Sequence, residues 1–363
     1  MKISVAMATY NGERFIREQL DSVAAQRRLP DELVVCDDGS SDRTLDVVRE
    51  FAGAAPFPVR VYRNDTNLGY ADNFLKAAGV CRGDWIAFCD QDDIWLPDKL
   101  STVERYFQVP GREVVLVVHN ALVVEESLLP SGVRYPNIAK SRVCRGSDLP
   151  SLWFAGGLTM VFRSDLIARC SPRDRGPGHG PEGEPLAHDA WISWLACILG
   201  DVALLQDSLV LYRRHSASTT RNLTGNVGEI RASRQALRSV RARFVERGGS
   251  TYRRMSDAML SHAKAFRRIA CEQEEGPWRH KLLEAEHRYR CQAMWLAERS
   301  AACDGAGLVS RIYHLCRAIK MGGYINYYGA ERRLGLRALA KDLVVSFIGG
   351  HRLAQVLGKE VIN

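Results

Sequence analysis

The chain has 363 residues, 46% of them hydrophobic and 25% charged, a soluble globular balance with length for about two domains. That excludes a disordered or collagen-like chain. It also excludes a polytopic membrane protein, because the longest strictly apolar runs, such as residues 114–118, fall far short of the roughly 20 residues a spanning helix needs. The net charge of +8 is unevenly spread: residues 221–363 hold 26 Lys and Arg against 13 Asp and Glu, and the first 220 residues hold 24 against 29.

The opening stretch, MKISVAMATYNGERF, is an apolar run stopped by Asn11, Glu13 and Arg14 with no cleavage-like segment behind it. It reads as a buried first strand rather than a signal peptide, which sets the expectation of a cytoplasmic chain folding from residue 1. The ten cysteines include no CxxC and no tight pair, so they read as free, often buried thiols of a reducing compartment.

The first hundred residues alternate strand and helix. Residues 2–10 form a β-rich run, and residues 13–26 carry Phe15, Ile16, Leu20 and Val23 at helical spacing. An apolar strand at 33–36 runs into DDGSSD, where Asp42 is placed to cap a helix carrying Leu45, Val48 and Phe51. A third strand at 59–62, a third helix at 72–78 and a fourth strand at 85–89 follow, the last ending in DQDD ahead of Pro97. Repeated β-α-β-α predicts a parallel sheet with helices on both faces, and in such sheets ligands bind beyond the carboxyl ends of the strands. TYNG, DDGSSD and DQDD all stand at such ends.

From 110 to 220 the pattern is mixed. A strand at 114–124 is broken by His119-Asn120, and Gly156-Gly157 precedes another at 158–163. Residues 172–185 are a Pro/Gly-rich loop, and 189–199 an apolar helix. After 225 strands vanish. Ile230, Leu237, Val240 and Phe244 share one helical face with Arg231, Arg234, Arg238 and Arg241 opposite, and further helices are expected near 278–301, 308–320 and 331–345.

Asp90-x-Asp92-Asp93 puts carboxylates where the chain leaves the sheet, a pattern suited to a hard cation such as Mg²⁺ or Mn²⁺ shared with substrate phosphates. A solvated acidic turn with Asp93 as a helix cap accounts for the same residues without a metal. Asp37-Asp38 ends the second strand, where a carboxylate can accept hydrogen bonds from a base or ribose, or serve a turn. Tyr10 closes the first strand and can stack on a base, with Gly12 permitting a sharp turn.

At these residues the chain resembles the GT-A, family 2 glycosyltransferases. ATYNGERFIREQLDSVAAQ, DELVVCDDGSSDRT, NLGYADNF and IAFCDQDDIWLPDKL match in order and spacing over most of residues 1–105, and GGLTMVFR, HDAW and YRRHSAST extend the likeness to about residue 220. The resemblance implies an α/β GT-A fold with a mostly parallel central sheet over residues 1–224, followed by a basic helical region over 225–363. It implies that Ala8, Thr9, Tyr10, Asn11, Asp38, Asn67 and Asp90 bind the nucleotide. Asp92, Asp90 and His215 would hold Mg²⁺ or Mn²⁺, and Asp189 would be the general base of inverting transfer. Arg213 or Arg214 could join His215 in offsetting diphosphate charge. DQDDIW and the basic tail look like bacterial rhamnosyltransferase-type enzymes of surface polysaccharide synthesis.

Other motifs are absent or weak. There is no GxxxxGK[ST], no GxGxxG after the first strand, and no zinc-spaced partner for His119 or His188; the sequons at Asn64 and Asn222 are of chance frequency. The arginine-rich tail, with residues 334–339 and 343–348 as candidate immersed faces, could lie on an anionic membrane or pack as a solvated subdomain; nucleic-acid binding lacks a motif. The resulting expectation is a metal-dependent inverting glycosyltransferase using a UDP- or dTDP-sugar and a glycan or lipid-linked acceptor. It would be cytoplasmic, with a peripheral site on the inner face of the membrane. The alternative is a non-catalytic binding or scaffold protein that keeps the fold.

Overall fold

The computed structural model describes residues 1–149, 155–177, 184–216, 249–305 and 307–326, with 338–340, 342, 343 and 346. The chain divides into two compact units. The first holds Met1–Arg175 and Leu186–Leu223, and the second holds Gly176–Pro185 and Thr224–Asn363.

In the first unit β1 (Ile3–Thr9), α1 (Ile16–Ala24), β2 (Glu32–Asp37), α2 (Thr44–Ala54), β3 (Val59–Arg63), α3 (Tyr70–Gly79) and β4 (Trp85–Cys89) follow the expected alternation. Nearly every residue of β1, β2 and β4 is buried, as strands covered by helices on both faces must be. Ile16, Leu20 and Val23 of α1 and Val48 and Phe51 of α2 close onto that sheet. Asp42 lies just ahead of α2 and accepts a hydrogen bond from the Thr44 amide at 3.0 Å.

Beyond β4 come β5 (Ile94–Trp95), α4 (Lys99–Glu104), β6 (Val114–Glu125), β7 (Pro130–Tyr135), β8 (Arg142–Arg145), β9 (Met160–Arg163), α5 (Asp165–Ala168), α6 (His188–Leu199) and β10 (Asp201–Arg214). The sheet order is β3-β2-β1-β4-β9-β6-β10-β5, with β7 on β6 and β8 on β10. It is parallel through β3-β2-β1-β4 and mixed beyond, since β9 runs antiparallel to both β4 and β6 while β6 and β10 are parallel.

The expected break at His119-Asn120 does not occur. β6 runs through both residues, and the irregularity falls on β10, whose register slips between Leu205 and Ser208. Asn120 Nδ2 donates to Gln206 O at 3.0 Å and to Ile138 O at 2.9 Å, and its Oδ1 accepts from the Ile138 amide at 2.7 Å. A buried amide thus satisfies the backbone groups that a bulge leaves unpaired.

The second unit, where described, is helical. α7 (Gly249–Glu272) and α8 (Pro277–Asp304) pack along each other through residues such as Phe266 and Tyr289, whose rings are 5.2 Å apart, and α9 (Leu308–Lys320) and α10 (Gly323–Asn326) follow. Asp342 is fully buried and accepts from Arg299 Nε at 2.5 Å and Tyr324 Oη at 2.6 Å. α7 was not foreseen. The arginine-rich face of 230–244, residues 178–183 of the Pro/Gly loop and nearly all of 331–363 lie outside the described residues. No described helix is long and apolar enough to cross a membrane.

Candidate active site

The carboxyl ends of β1, β2 and β4 open on one cavity of about 550 Å³, a volume suited to a small-molecule ligand. Its lining includes Ala8, Thr9, Tyr10, Asn11, Asp38, Asn67, Asp90, Asp92 and His215. Seven of these nine follow from the sheet placing the ends of β1, β2 and β4 side by side, while Asn67 comes from the loop after β3 and His215 from the end of β10.

The turn after β1 is locked to its neighbours by polar side chains. Asn11 sits at φ +46°, its amide donates to Ser40 Oγ at 2.9 Å, and its Oδ1 accepts from the Ser41 amide at 2.9 Å. Thr9 Oγ1 donates to Asp37 Oδ1 at 2.9 Å, and the Gly12 amide donates to Thr44 Oγ1 at 2.7 Å. Gln91 closes the other side: its Oε1 accepts from the Tyr10 amide at 2.9 Å and its Nε2 donates to Tyr10 O at 3.0 Å. A Cβ on Gly12 would stand 2.3 Å from Gln91 Oε1, so a side chain there would displace the Gln91 amide from Tyr10. Tyr10 itself remains half exposed, its ring available to a flat ligand.

Asp38 is buried yet lines the cavity. Its Oδ1 accepts from Asn64 Nδ2 at 2.7 Å and the Leu68 amide at 2.8 Å, and its Oδ2 accepts from the Gly69 amide at 2.9 Å. Asn67 Nδ2 donates to Asp38 O at 3.1 Å. An ionised carboxylate has about four acceptor sites, so three internal bonds leave Oδ2 able to take one more. Asn64 is in turn held by Asn73 Oδ1 at 2.9 Å and by Lys76 Nζ, which donates to its Oδ1 at 2.6 Å.

Past β4 the charge density rises. Burial, reinforced by Asp92 and Asp189, pushes the Asp90 carboxyl up to about 7. Asp93 is buried deeper; its Oδ1 accepts from the Arg213 amide at 3.0 Å, its Oδ2 has no partner among the described residues, and burial with the Asp92 and Asp90 charges raises it well above the usual carboxylate range. Beneath them Lys99 is fully buried, its Nζ donating to Leu158 O at 2.9 Å and lying 3.8 Å from the Trp95 ring centre; burial pulls it down to about 7. His215 Nε2 meets Asp92 Oδ2 at 2.8 Å, with Phe15 4.6 Å away against its ring. These oxygens and one imidazole are the donor chemistry of a hard divalent cation that also takes phosphate oxygens. Among the described residues no three His, Cys, Asp or Glu side chains gather tightly enough to hold a metal by themselves.

Asp189 is not in the lining. It stands in the first turn of α6, its Oδ1 accepting from the Ala190 amide at 2.7 Å, near enough for its charge to raise Asp90. Its neighbour His188 is a packing residue. The imidazole stacks on Phe74 at 4.2 Å, meets Phe88 edge-on at 4.8 Å, and has no hydrogen-bond partner on either nitrogen among the described residues. Gly157 makes room for it, since a Cβ there would stand 2.6 Å from His188 Nε2. Arg213 does not face the cavity as expected; its buried guanidinium pairs with Glu18 and lies 4.7 Å from the Phe15 ring centre, and Arg214 Nη1 donates to Tyr212 Oη at 2.7 Å. Among the described residues the arginine that does line the cavity is Arg14. Gln91, Asn64, Arg14 and Tyr70 were missed, although Gln91 lies inside DQDD, Arg14 inside ATYNGERF and Tyr70 inside NLGYADNF; Asn64 alone lies in none of these motifs.

Residues 4–167 match the family model described as Glycosyl transferase family 2. The dTDP-rhamnosyl transferase RfbG of Shigella flexneri is 39% identical over 99 residues, which are 26% of this chain and 34% of that protein. The UDP-Glc:alpha-D-GlcNAc-diphosphoundecaprenol beta-1,3-glucosyltransferase WfgD of Escherichia coli is 38% identical over 143 residues, 38% of this chain and 55% of that protein. The chain thus spans between about a third and about a half of these relatives. The crystal structure of S. aureus TarS shares the fold at a TM-score of 0.50 and 17% identity, covering 98% of this chain and 55% of that one. The family match and these relatives place residues 4–167 among glycosyltransferases. The chain carries a glycosyl transferase family 2 domain.

Proposed function

We propose that this enzyme transfers a sugar from a UDP- or dTDP-sugar to a saccharide or lipid-linked glycan acceptor, with inversion at the anomeric carbon, in the building of a bacterial surface polysaccharide. The observation that carries this reading is the single cavity in which Asp38, Tyr10, Asp90, Asp92 and His215 meet. Asp38 Oδ2 would accept the imide N–H of uracil or thymine, a donor that cytosine lacks, with Tyr10 against the base. The acceptor hydroxyl oxygen attacks the anomeric carbon opposite the nucleotide. The bond to the diphosphate breaks with its electron pair leaving on phosphate oxygen, and the hydroxyl proton passes to the Asp189 carboxylate. Asp92, with Asp90 and His215 beside it, would hold Mg²⁺ or Mn²⁺, which when bound offsets the charge on the departing diphosphate. Arg14 adds a cation at the rim.

The Shigella relative supports dTDP-L-rhamnose as donor, and the Escherichia coli relative favours a UDP-hexose as the second reading. A lipid-linked acceptor would place the chain at the cytoplasmic face of the membrane, against its basic second unit. A thermal-shift screen with UDP, dTDP, GDP and CMP, each with and without Mn²⁺, tests the donor site. Metal-dependent stabilisation by dTDP or UDP is expected; no shift with any nucleotide would overturn the reading.

A further inference from the structure

The outer face of α9 has the wrong chemistry for water. Leu315 and Ala318 are buried on its inner side, as in any surface helix. The opposite side should then be polar. Instead Val309 is 84% exposed and Tyr313 57%, with Leu308 and Ile319 exposed beside them. Positions 309, 313, 316 and 320 fall on one line along a helix, and Cys316 is exposed within it. Lys320 ends the stripe; the helix has no acidic residue of its own, Arg317 pairs with Glu298 of α8 at 3.1 Å, and Arg311 Nε donates to Ser346 O at 2.8 Å.

We infer that this face of α9 docks on an anionic lipid surface. An interfacial helix needs apolar side chains to reach the acyl boundary and cations to meet the headgroups. Val309, Leu308 and Ile319 supply the first, Lys320 the second, and the ring of Tyr313 suits the level between. Charge complementarity also selects the occupant. A second copy docking here about a two-fold axis would set the same basic, acid-free helix against itself. Residues 221–363 as a whole carry twice as many basic as acidic side chains, 26 against 13. This inference rests on the membrane placement proposed above and names the surface that performs it; the segments marked in the sequence for that role lie outside the described residues.

The test is sedimentation of the full chain with vesicles of phosphatidylcholine mixed with phosphatidylglycerol, against phosphatidylcholine alone. Binding to the mixed vesicles that weakens with added NaCl is expected. The double variant Val309→Asp, Tyr313→Asp should lose on the order of tenfold in vesicle affinity, and Lys320→Glu a smaller part. Both should keep the helical circular dichroism and the nucleotide-dependent thermal shift of the parent, because these positions are exposed and outside the donor cavity. If the parent chain binds neither vesicle, the membrane placement itself fails. If parent and both variants bind mixed vesicles alike, the placement stands and this face is overturned. A parent dimer that the double variant splits, with vesicle binding unchanged, would assign the face to a second copy instead.

Discussion

At the scale of single residues, the chemistry rests on side chains whose positions are set by others. Asp189 has one short backbone bond and a view toward Asp90, so its proposed part in the reaction can be removed without disturbing packing. Asp189→Asn should lower turnover by about 100-fold or more while nucleoside-diphosphate affinity stays at the parent value; near-parental turnover would remove Asp189 from the mechanism. Asn64 acts one step behind the ligand. It links Lys76 to Asp38 and would orient the carboxylate that meets the base. A hydrogen bond to a charged group contributes about 1.5 kcal/mol, or about tenfold in affinity. Asn64→Ala should therefore weaken dTDP or UDP binding by about tenfold in calorimetry and leave CDP binding unchanged. An equal loss for all three would mean the cavity had merely loosened. Nothing in the sequence marked Asn64 for this, because a sequon-bearing turn looks the same whether its amide faces water or a buried carboxylate.

At the scale of elements, β6 and α6 each bury a histidine without full hydrogen bonding. His119 is held by a 2.8 Å contact from Nδ1 to Asn120 O, its Nε2 has no partner among the described residues, and burial keeps it well below the ordinary imidazole range; burial likewise lowers His188. The folded state therefore binds fewer protons than the unfolded state below pH about 6.5. Stability contributed by the neutral rings is present above that value and is lost as pH falls. Urea unfolding at pH 7 and pH 5 should show a smaller acid-induced drop for His119→Leu than for the parent, and an equal drop would refute the assignment. The same strand shows where pattern reading stops. A polar pair in an apolar run looks like a strand end, but the partner strand absorbs it by slipping register, and Asn120 bonds the displaced backbone. Two short antiparallel strands, β7 and β8, were also unread, since four to six mixed residues carry too little periodicity to stand out.

At the scale of the whole molecule, the sequence by itself determined the β-α alternation of the first ninety residues, the three polar strand ends and the contrast between an acidic first part and a basic second part. These are local quantities: the period of apolar residues, the identity of the residue after a strand, the sum of charges. The resemblance already set His215 beside Asp92, and only the tertiary structure decided that Arg213 turns to Glu18 and leaves the cavity to Arg14, and that the sheet becomes mixed once β9 inserts between β4 and β6. It also decided that α9 turns apolar side chains outward. Each of these depends on strand order, register or helix rotation, which are fixed by packing between distant segments and leave no mark on the spacing of residues along the chain.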